Sequence, residues 1–222
     1  MTEKVPSNFA MSGDSVRSRL LDAAEVLFCE KGYEGTSVRD LTTKANCNVA
    51  SVNYYFGGKD KLYIEMFRRQ MQFIVENQVE RMNQLAASPN PTLEQLIREI
   101  VYYPLRAAYE KQQRGQVMRL MVREVLNSSL AGEKLIDDFR TQIMEKVVAV
   151  LMCLVPELNK KQAQLIFASI ESLQLHPFLF MDNYLSLIEG LTFDQLIDHI
   201  VRFGAAAIRG MVNDIQRRSE RL

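Results

Sequence analysis

Tryptophan is absent, and histidine occurs only at His176 and His199. Neither histidine stands at catalytic or metal-ligand spacing from a serine, a cysteine or a carboxylate, and no glycine-rich phosphate loop occurs. The sequence therefore argues against an enzyme, and it implies no cofactor and no metal. Cysteine is limited to Cys29, Cys47 and Cys153. The number is odd and no CxxC pair occurs, so neither a disulfide framework nor a zinc site is suggested. Cys29 lies on an apolar helical face and reads as core. Cys47 reads as core filler in a turn, with redox sensing as the alternative. No apolar run reaches membrane-spanning length, and the first fourteen residues lack a signal-peptide core. A cytoplasmic protein without membrane contact is expected. Formal net charge is zero and the pI is near 6.8. That profile does not suit a protein that coats nucleic acid without specificity.

What is present is apolar and helical. Hydrophobic residues make up 47% of 222 residues, enough for one large domain or two small ones. Strand alternation and internal repeats are missing. Residues 1–13 read as a flexible arm, with Asp14 capping a first helix that runs to Lys31. Leu20, Ala24 and Leu27 face inward, Gly32 supplies the stop, and Tyr33 is expected to pack the first helix on the second. From Lys59 a long helix reads to about Ala87, with Tyr63, Phe67, Met71 and Ile74 in one stripe. Ser88-Pro89-Asn90-Pro91 breaks the chain. Thr92 and Gln95 then have capping-box spacing, and Pro104 is expected to kink or end that helix. Further helices read over 116–126 and 133–154, separated by a loop over 128–132. Asn159 and Gln162 open another, which continues to His176-Pro177, and Thr192 and Gln195 open the last, to about Arg217.

The stretch from Thr36 to Lys59, TSVRDLTTKANCNVASVNYYFGGK, carries the functional signal. Ser37 is an N-cap, with Asp40 placed to complete it. Val38, Leu41 and Ala45 give one apolar face, and Asn46 suits a left-handed stop. A second short helix, about 49–55, buries Val52 and Phe56. Its opposite face shows Asn48, Ala50, Ser51, Asn53 and Tyr54, which are small or polar and uncharged. Such a face enters a major groove and meets base edges without driving a carboxylate into phosphates. Residues 1–70 hold ten Lys/Arg against nine Asp/Glu, so the case rests on the placement of Arg39, Lys44 and Lys59, not on bulk charge.

In order and without gaps, LLDAAEVLFCEKGYEGTSV, RDLTTKANCNVASVNYYF and GGKDKLY resemble the DNA-binding domain of the TetR family of bacterial transcriptional regulators over residues 16–70. Two positions depart from the family pattern: Asn46 stands where the turn usually has glycine, and Gly58 stands where the fourth helix usually has a Ser or Thr cap. The resemblance implies an all-α protein. A helix-turn-helix domain over 14–60 (the TetR-type domain spanning about 15–75, the motif itself 38–57) would be joined through the long fourth helix to a helical ligand-binding and dimerisation domain over 61–222.

It also implies roles. Ser37 and Arg39 would meet phosphate, and Tyr54, Tyr55 and Lys59 would clamp the backbone across the groove. Asn48, Ala50, Ser51 and Asn53 would face bases, Asn53 pairing with adenine and Ala50 touching a thymine methyl. Tyr55 is expected to be partly buried, and Asn48 has a second reading as a helix cap. Lys59 has a second reading as a solvated first-turn residue. The partners implied are a double-stranded DNA operator, a small-molecule effector and a second copy of the chain. Ile166, Ile170, Leu173, Leu196, Ile200, Gly204, Ala207, Ile208 and Met211 are the expected dimer face. Tyr102, Tyr103, Met118, Met121, Phe139, Phe167, His176 and Phe178 are candidates to line an effector pocket for an apolar or amphipathic compound, or simply form core. The expectation is a ligand-responsive homodimeric repressor on a palindromic operator. The alternative is an architectural or protein-partnered DNA-binding protein of the same fold.

Overall fold

A computed structural model describes residues 16–110, 115–120, 122, 133–181, 183, 186 and 188–219. The expected arm over 1–13, the Asp14 cap, the 128–132 loop and Met121 lie outside them. Eight helices carry the described chain: α1 (Val16–Lys31), α2 (Val38–Lys44), α3 (Ala50–Phe56), α4 (Lys59–Ala87), α5 (Leu93–Tyr109), α6 (Glu133–Leu154), α7 (Lys160–Leu179) and α8 (Phe193–Ser219). Residues 115–120 and 122 are helical as well. Among the described residues there is no strand, so the fold is all-α. None of the described helices is long and apolar enough to cross a membrane.

The chain divides into two compact units, residues 1–67 and 68–222. In the first, Leu20, Ala24, Leu27 and Phe28 of α1, Leu41 of α2, Val52 and Phe56 of α3, and Leu62, Tyr63, Met66 and Phe67 of α4 are all buried. The apolar periodicity of each short helix thus points to one small core. The first turns of α4 belong with this unit, because Tyr63 meets Phe28 edge to face at 4.7 Å and Phe67 at 4.9 Å. The Tyr33 ring stacks on Phe28 at 6.0 Å and leans on Tyr63 at 5.0 Å, so it also joins α1 to α4. Cys29 and Cys47 are only half-buried, and Cys153 is exposed.

In the second unit α5 touches α6, α7 and α8, and α7 also packs on α6 and α8. All three expected capping boxes form here: Thr92 with Gln95, Asn159 with Gln162, and Thr192 with Gln195. Neither internal proline ends its helix. α5 continues through Pro104 to Tyr109, and α7 continues through Pro177 to Leu179. Burial explains both: Leu105, Ala107 and Ala108 are buried beyond Pro104, and Phe178 beyond Pro177. Burying one Leu or Phe side chain stabilises by about 1.5–3 kcal/mol, enough to offset the hydrogen bond that proline removes.

The face of α8 that enters this core bears on the expected dimer residues. Leu196, Ile197, Ile200, Val201, Ala205 and Ile208 are buried, as are Ile166 and Ile170 of α7. Gly204 is buried too, and a methyl group there would sit 3.1 Å from Ile97 Cδ1. This glycine lets α5 and α8 of one chain approach closely. Ile166, Ile170, Leu196, Ile200, Gly204 and Ile208 are thus interior residues of the chain itself and cannot also face a partner. Leu173 is half-buried against the same core. Of the expected dimer face, only Ala207 and Met211 are exposed.

Candidate nucleic-acid interface

The reading unit is shaped by local hydrogen bonds. At the start of α2 the Ser37 hydroxyl accepts from the Asp40 N–H at 3.1 Å, and Ser37 N–H donates to Asp40 Oδ2 at 3.0 Å. At its end Cys47 N–H reaches the Thr42 carbonyl at 3.0 Å and Asn46 N–H the Thr43 carbonyl at 3.2 Å. Asn46 has φ 48. These are the two bonds and the left-handed residue of a Schellman stop, met by asparagine in place of glycine. The Arg19 guanidinium donates to the Ala45 carbonyl at 3.0 Å, tying the end of α2 to α1. Thr36 is fully buried, and its hydroxyl donates to the carbonyls of Gly32 at 2.8 Å and Leu27 at 3.1 Å. Sequence reasoning left Thr36 out; a threonine four residues past the Gly32 stop was the available signal.

α3 begins where the Ala50 N–H meets the Asn48 carboxamide oxygen at 2.9 Å. The capping reading of Asn48 is therefore met, and its amide nitrogen remains the group that can donate outward. Val52 and Phe56 are buried, while Ala50, Asn53 and Tyr54 are exposed. Tyr54 is 83% exposed and Tyr55 40%, with the rings meeting edge to face at 4.9 Å. Ser51 is half-buried. α3 stops at Gly57, φ 73, and Gly58 follows at φ 130. That last value is closed to L side chains, so glycine here is demanded by the backbone and is more than a tolerable cap.

Charge placement resolves the even balance of acids and bases. Asp40 is engaged by Ser37 and lies 3.9 Å from Lys31 Nζ. The Ser37 hydrogen bonds hold its carboxyl below the ordinary 3.8. Asp60 accepts from the Tyr33 hydroxyl, and Glu65 from Arg17. Burial, helped by Asp60, pushes the Tyr33 hydroxyl up to about 12, so it stays a donor. Arg39 and Lys44 are exposed and form no ion pair among the described residues. Lys59 Nζ lies 3.9 Å over the Tyr33 ring. Ser37 needs correcting as a phosphate contact: its N–H and O–H are both committed to Asp40, which leaves no donor for a phosphate oxygen.

The expected effector residues do not all come together. Phe167 and Phe178 are buried in the core of the second unit, with Tyr102 and Met118 packed against it. Phe139 is half-buried. Tyr103 and His176 do not fit an enclosed pocket. Tyr103 is 44% exposed, with the Arg81 guanidinium 3.9 Å over its ring. His176 is exposed and leans on Phe180, because the inner side of α7 there is taken by Pro177 and Phe178. A surface groove of about 210 Å³ runs along Glu94, Gln95, Arg98, Asp198, Val201 and Arg202. Its lining includes the Arg98–Asp198 ion pair and no aromatic side chain. No group of three or more metal-ligating side chains occurs among the described residues.

An uncharged, exposed helix face behind a Schellman-stopped partner helix, flanked by free cations, defines a helix-turn-helix protein. Residues 20–66 match the family model described as bacterial regulatory proteins, tetR family. The Bacillus subtilis protein named "Probable HTH-type transcriptional regulator YttP" is 32% identical over 127 residues, 54% of this chain and 55% of that protein. The HTH-type transcriptional repressor NicS of Pseudomonas putida is 32% identical over 98 residues, 44% of this chain and 45% of the repressor. The chain thus spans about half the length of these curated relatives. A crystal structure of a transcriptional regulator from Rhodococcus sp. Rha1 superposes with a TM-score of 0.62 at 19% identity, covering 87% of this chain and 96% of the other. Over residues 20–66 the N-terminal unit thus matches the tetR family of bacterial regulatory proteins.

Proposed function

We propose that the protein is a sequence-specific transcriptional regulator that represses by binding a palindromic operator as a homodimer. It is a regulator and not an enzyme, in keeping with the regulator names of its relatives. The observation that carries this reading is the outward face of α3: Ala50, Asn53 and Tyr54 are exposed and uncharged while Val52 and Phe56 anchor the helix. The amide groups of Asn53 and Asn48 meet base edges, and Ala50 meets a thymine methyl. Arg39, Tyr54, Tyr55 and Lys59 meet the backbone, which positions the protein without reading sequence.

The dimer forms on the outer seam of α7 and α8. On α8, His199, Phe203, Ala206 and Gly210 are exposed at i, i+4, i+7 and i+11, with Ala207 beside them. On α7, Leu165 is 59% exposed and Leu175 44%. A two-fold pair would present two reading helices to successive major grooves roughly 34–36 Å apart. A small apolar or amphipathic effector, taken up among the aromatic and methionine side chains of residues 68–222, releases the operator.

Selection of bound duplexes from a random pool at physiological salt tests the reading. A palindrome with half-sites one turn or more apart is expected. Asn53→Ala should then relax one base position by about 1–3 kcal/mol. Dispersed, unrelated sequences would favour the architectural alternative.

A further inference from the structure

Lys59 is the first residue of α4, two positions after the left-handed Gly57 that ends α3. A lysine there is a point charge on a flexible four-carbon stem. In this chain the ammonium is not left to wander, since Nζ lies 3.9 Å from the centroid of the Tyr33 ring. The ring itself is fixed on three sides. Phe28 stacks on it at 6.0 Å, Tyr63 leans on it at 5.0 Å, and its hydroxyl donates to the Asp60 carboxylate. The turn that carries Tyr33 is held by the Thr36 hydroxyl on the Gly32 and Leu27 carbonyls. Donation to a carboxylate enriches the ring in electrons, which strengthens its hold on a cation.

We propose that Tyr33 is a positioning residue for DNA binding, its ring holding the Lys59 ammonium where a backbone phosphate meets it. This rests on the reading of Lys59 as a phosphate contact. The ring occupies one side of the ammonium with an apolar face and leaves its remaining N–H donors directed outward. Ordering of the lysine is then complete before DNA arrives, and binding loses less side-chain freedom. The three aromatic rings of the α1–α4 junction thus act on the DNA side of the unit through one cation.

The test is a double-mutant cycle on mixed-sequence duplex DNA at low salt, where phosphate contacts supply essentially all of the binding. Lys59→Ala should weaken binding and lower the slope of log affinity against log salt by about one per subunit. If it changes neither, Lys59 is not on phosphate and the proposal falls with that reading. Tyr33→Leu should weaken binding about 2- to 5-fold, the effect of losing one exposed cation–π contact. It should add nothing in the Lys59→Ala background, and Tyr33→Phe, which keeps the ring, should rescue most of the loss. A Tyr33→Leu effect of equal size with and without Lys59 would show a purely structural tyrosine and overturn the proposal. Should Tyr33→Leu not fold, the NMR shift of the Lys59 ε-protons in the native protein decides. Ring-current displacement upfield is expected, and a random-coil shift overturns it.

Discussion

In residues 1–67 each short helix ends where a named hydrogen bond stops it. Ser37 with Asp40 starts α2, Asn46 ends it, Asn48 starts α3 and Gly57 ends that. In residues 68–222 the capping boxes start the helices, but burial decides where they stop and which way they face. α5 and α7 run past internal prolines because large side chains beyond them are buried. Hydrogen-bonded stops are written in neighbouring residues. A buried face depends on what the rest of the chain brings to it. The first unit is therefore specified by local chemistry, the second by packing between helices distant in sequence.

On α8 neighbouring apolar positions have opposite fates. Ile200 is 4% exposed and Phe203 54%. Ile200→Glu would bury an unpaired charge and should cost about 4 kcal/mol or more, unfolding the second unit in a urea titration. Phe203→Glu should change folding by no more than about 0.5 kcal/mol. Its effect should fall on assembly, with sedimentation velocity giving monomers. Dimers that survive Phe203→Glu at micromolar concentration would remove this seam as the interface.

The same helix shows why part of the molecule could not be read from sequence. All eight helices with named bounds lie close to sequence expectation, because helical periodicity and capping pairs are local. α3 runs Ala50–Phe56, one residue later than expected, although Val49 already has helical angles (φ −55, ψ −35). Faces were harder. α8 is apolar at Leu196, Ile200 and Ile208 and again at Phe203, Ala206 and Ala207, so two of its sides could each have been core. Nothing in the period selects one. Gly204 signalled a close approach correctly, but the helix that approaches is α5 of the same chain. Tyr103 and His176 were aromatic candidates for a pocket and are instead exposed. In the reading unit the contact of Tyr33 with Tyr63 was not legible, because its partner on α4 lies thirty positions along the chain. Ser37 was placed correctly as a cap, which is why its donors are not available to phosphate.

In the first unit, substitutions at the helix ends should have smaller effects. Ser37→Ala removes the capping box of α2 and should cost about 1 kcal/mol, seen as a lower urea midpoint for the first unit. If the midpoint does not move, the box is not what starts the helix. Asn46→Ala removes the short polar side chain that tolerates φ 48 and should cost about 1 kcal/mol, while Asn46→Gly should not destabilise. Equal stability of the two variants would mean that the turn is held by tertiary contacts and not by its own conformation.

The smallest effect separates the units by pH. In the first, Ser37 holds the Asp40 carboxyl below its ordinary 3.8. A lowered native pKa means that the unfolded chain binds the proton more readily. Stability from Asp40 is then fully present above 3.8 and is lost as pH falls through the native value. In the second, burial pushes the Glu171 carboxyl above its ordinary 4.5, against the pull of Arg140 at 3.2 Å. Here the native state binds the proton more readily, so the contribution is present below 4.5 and is lost as pH rises through the raised value. Urea titrations at stepped pH test both signs. The deficit of Asp40→Asn relative to the native sequence should shrink on acidification below 3.8. The native sequence should lose ground to Glu171→Gln as pH rises from 4.5. A deficit for Asp40→Asn that persists at the acid end would mean that its hydrogen bonds survive protonation. A difference between Glu171→Gln and the native sequence that is flat with pH would mean that Arg140 fully offsets the burial of Glu171. Both variants sit on helix surfaces of ordinary appearance. What distinguishes them is the partner: one carboxylate is held by its own helix start, the other by a helix thirty residues away.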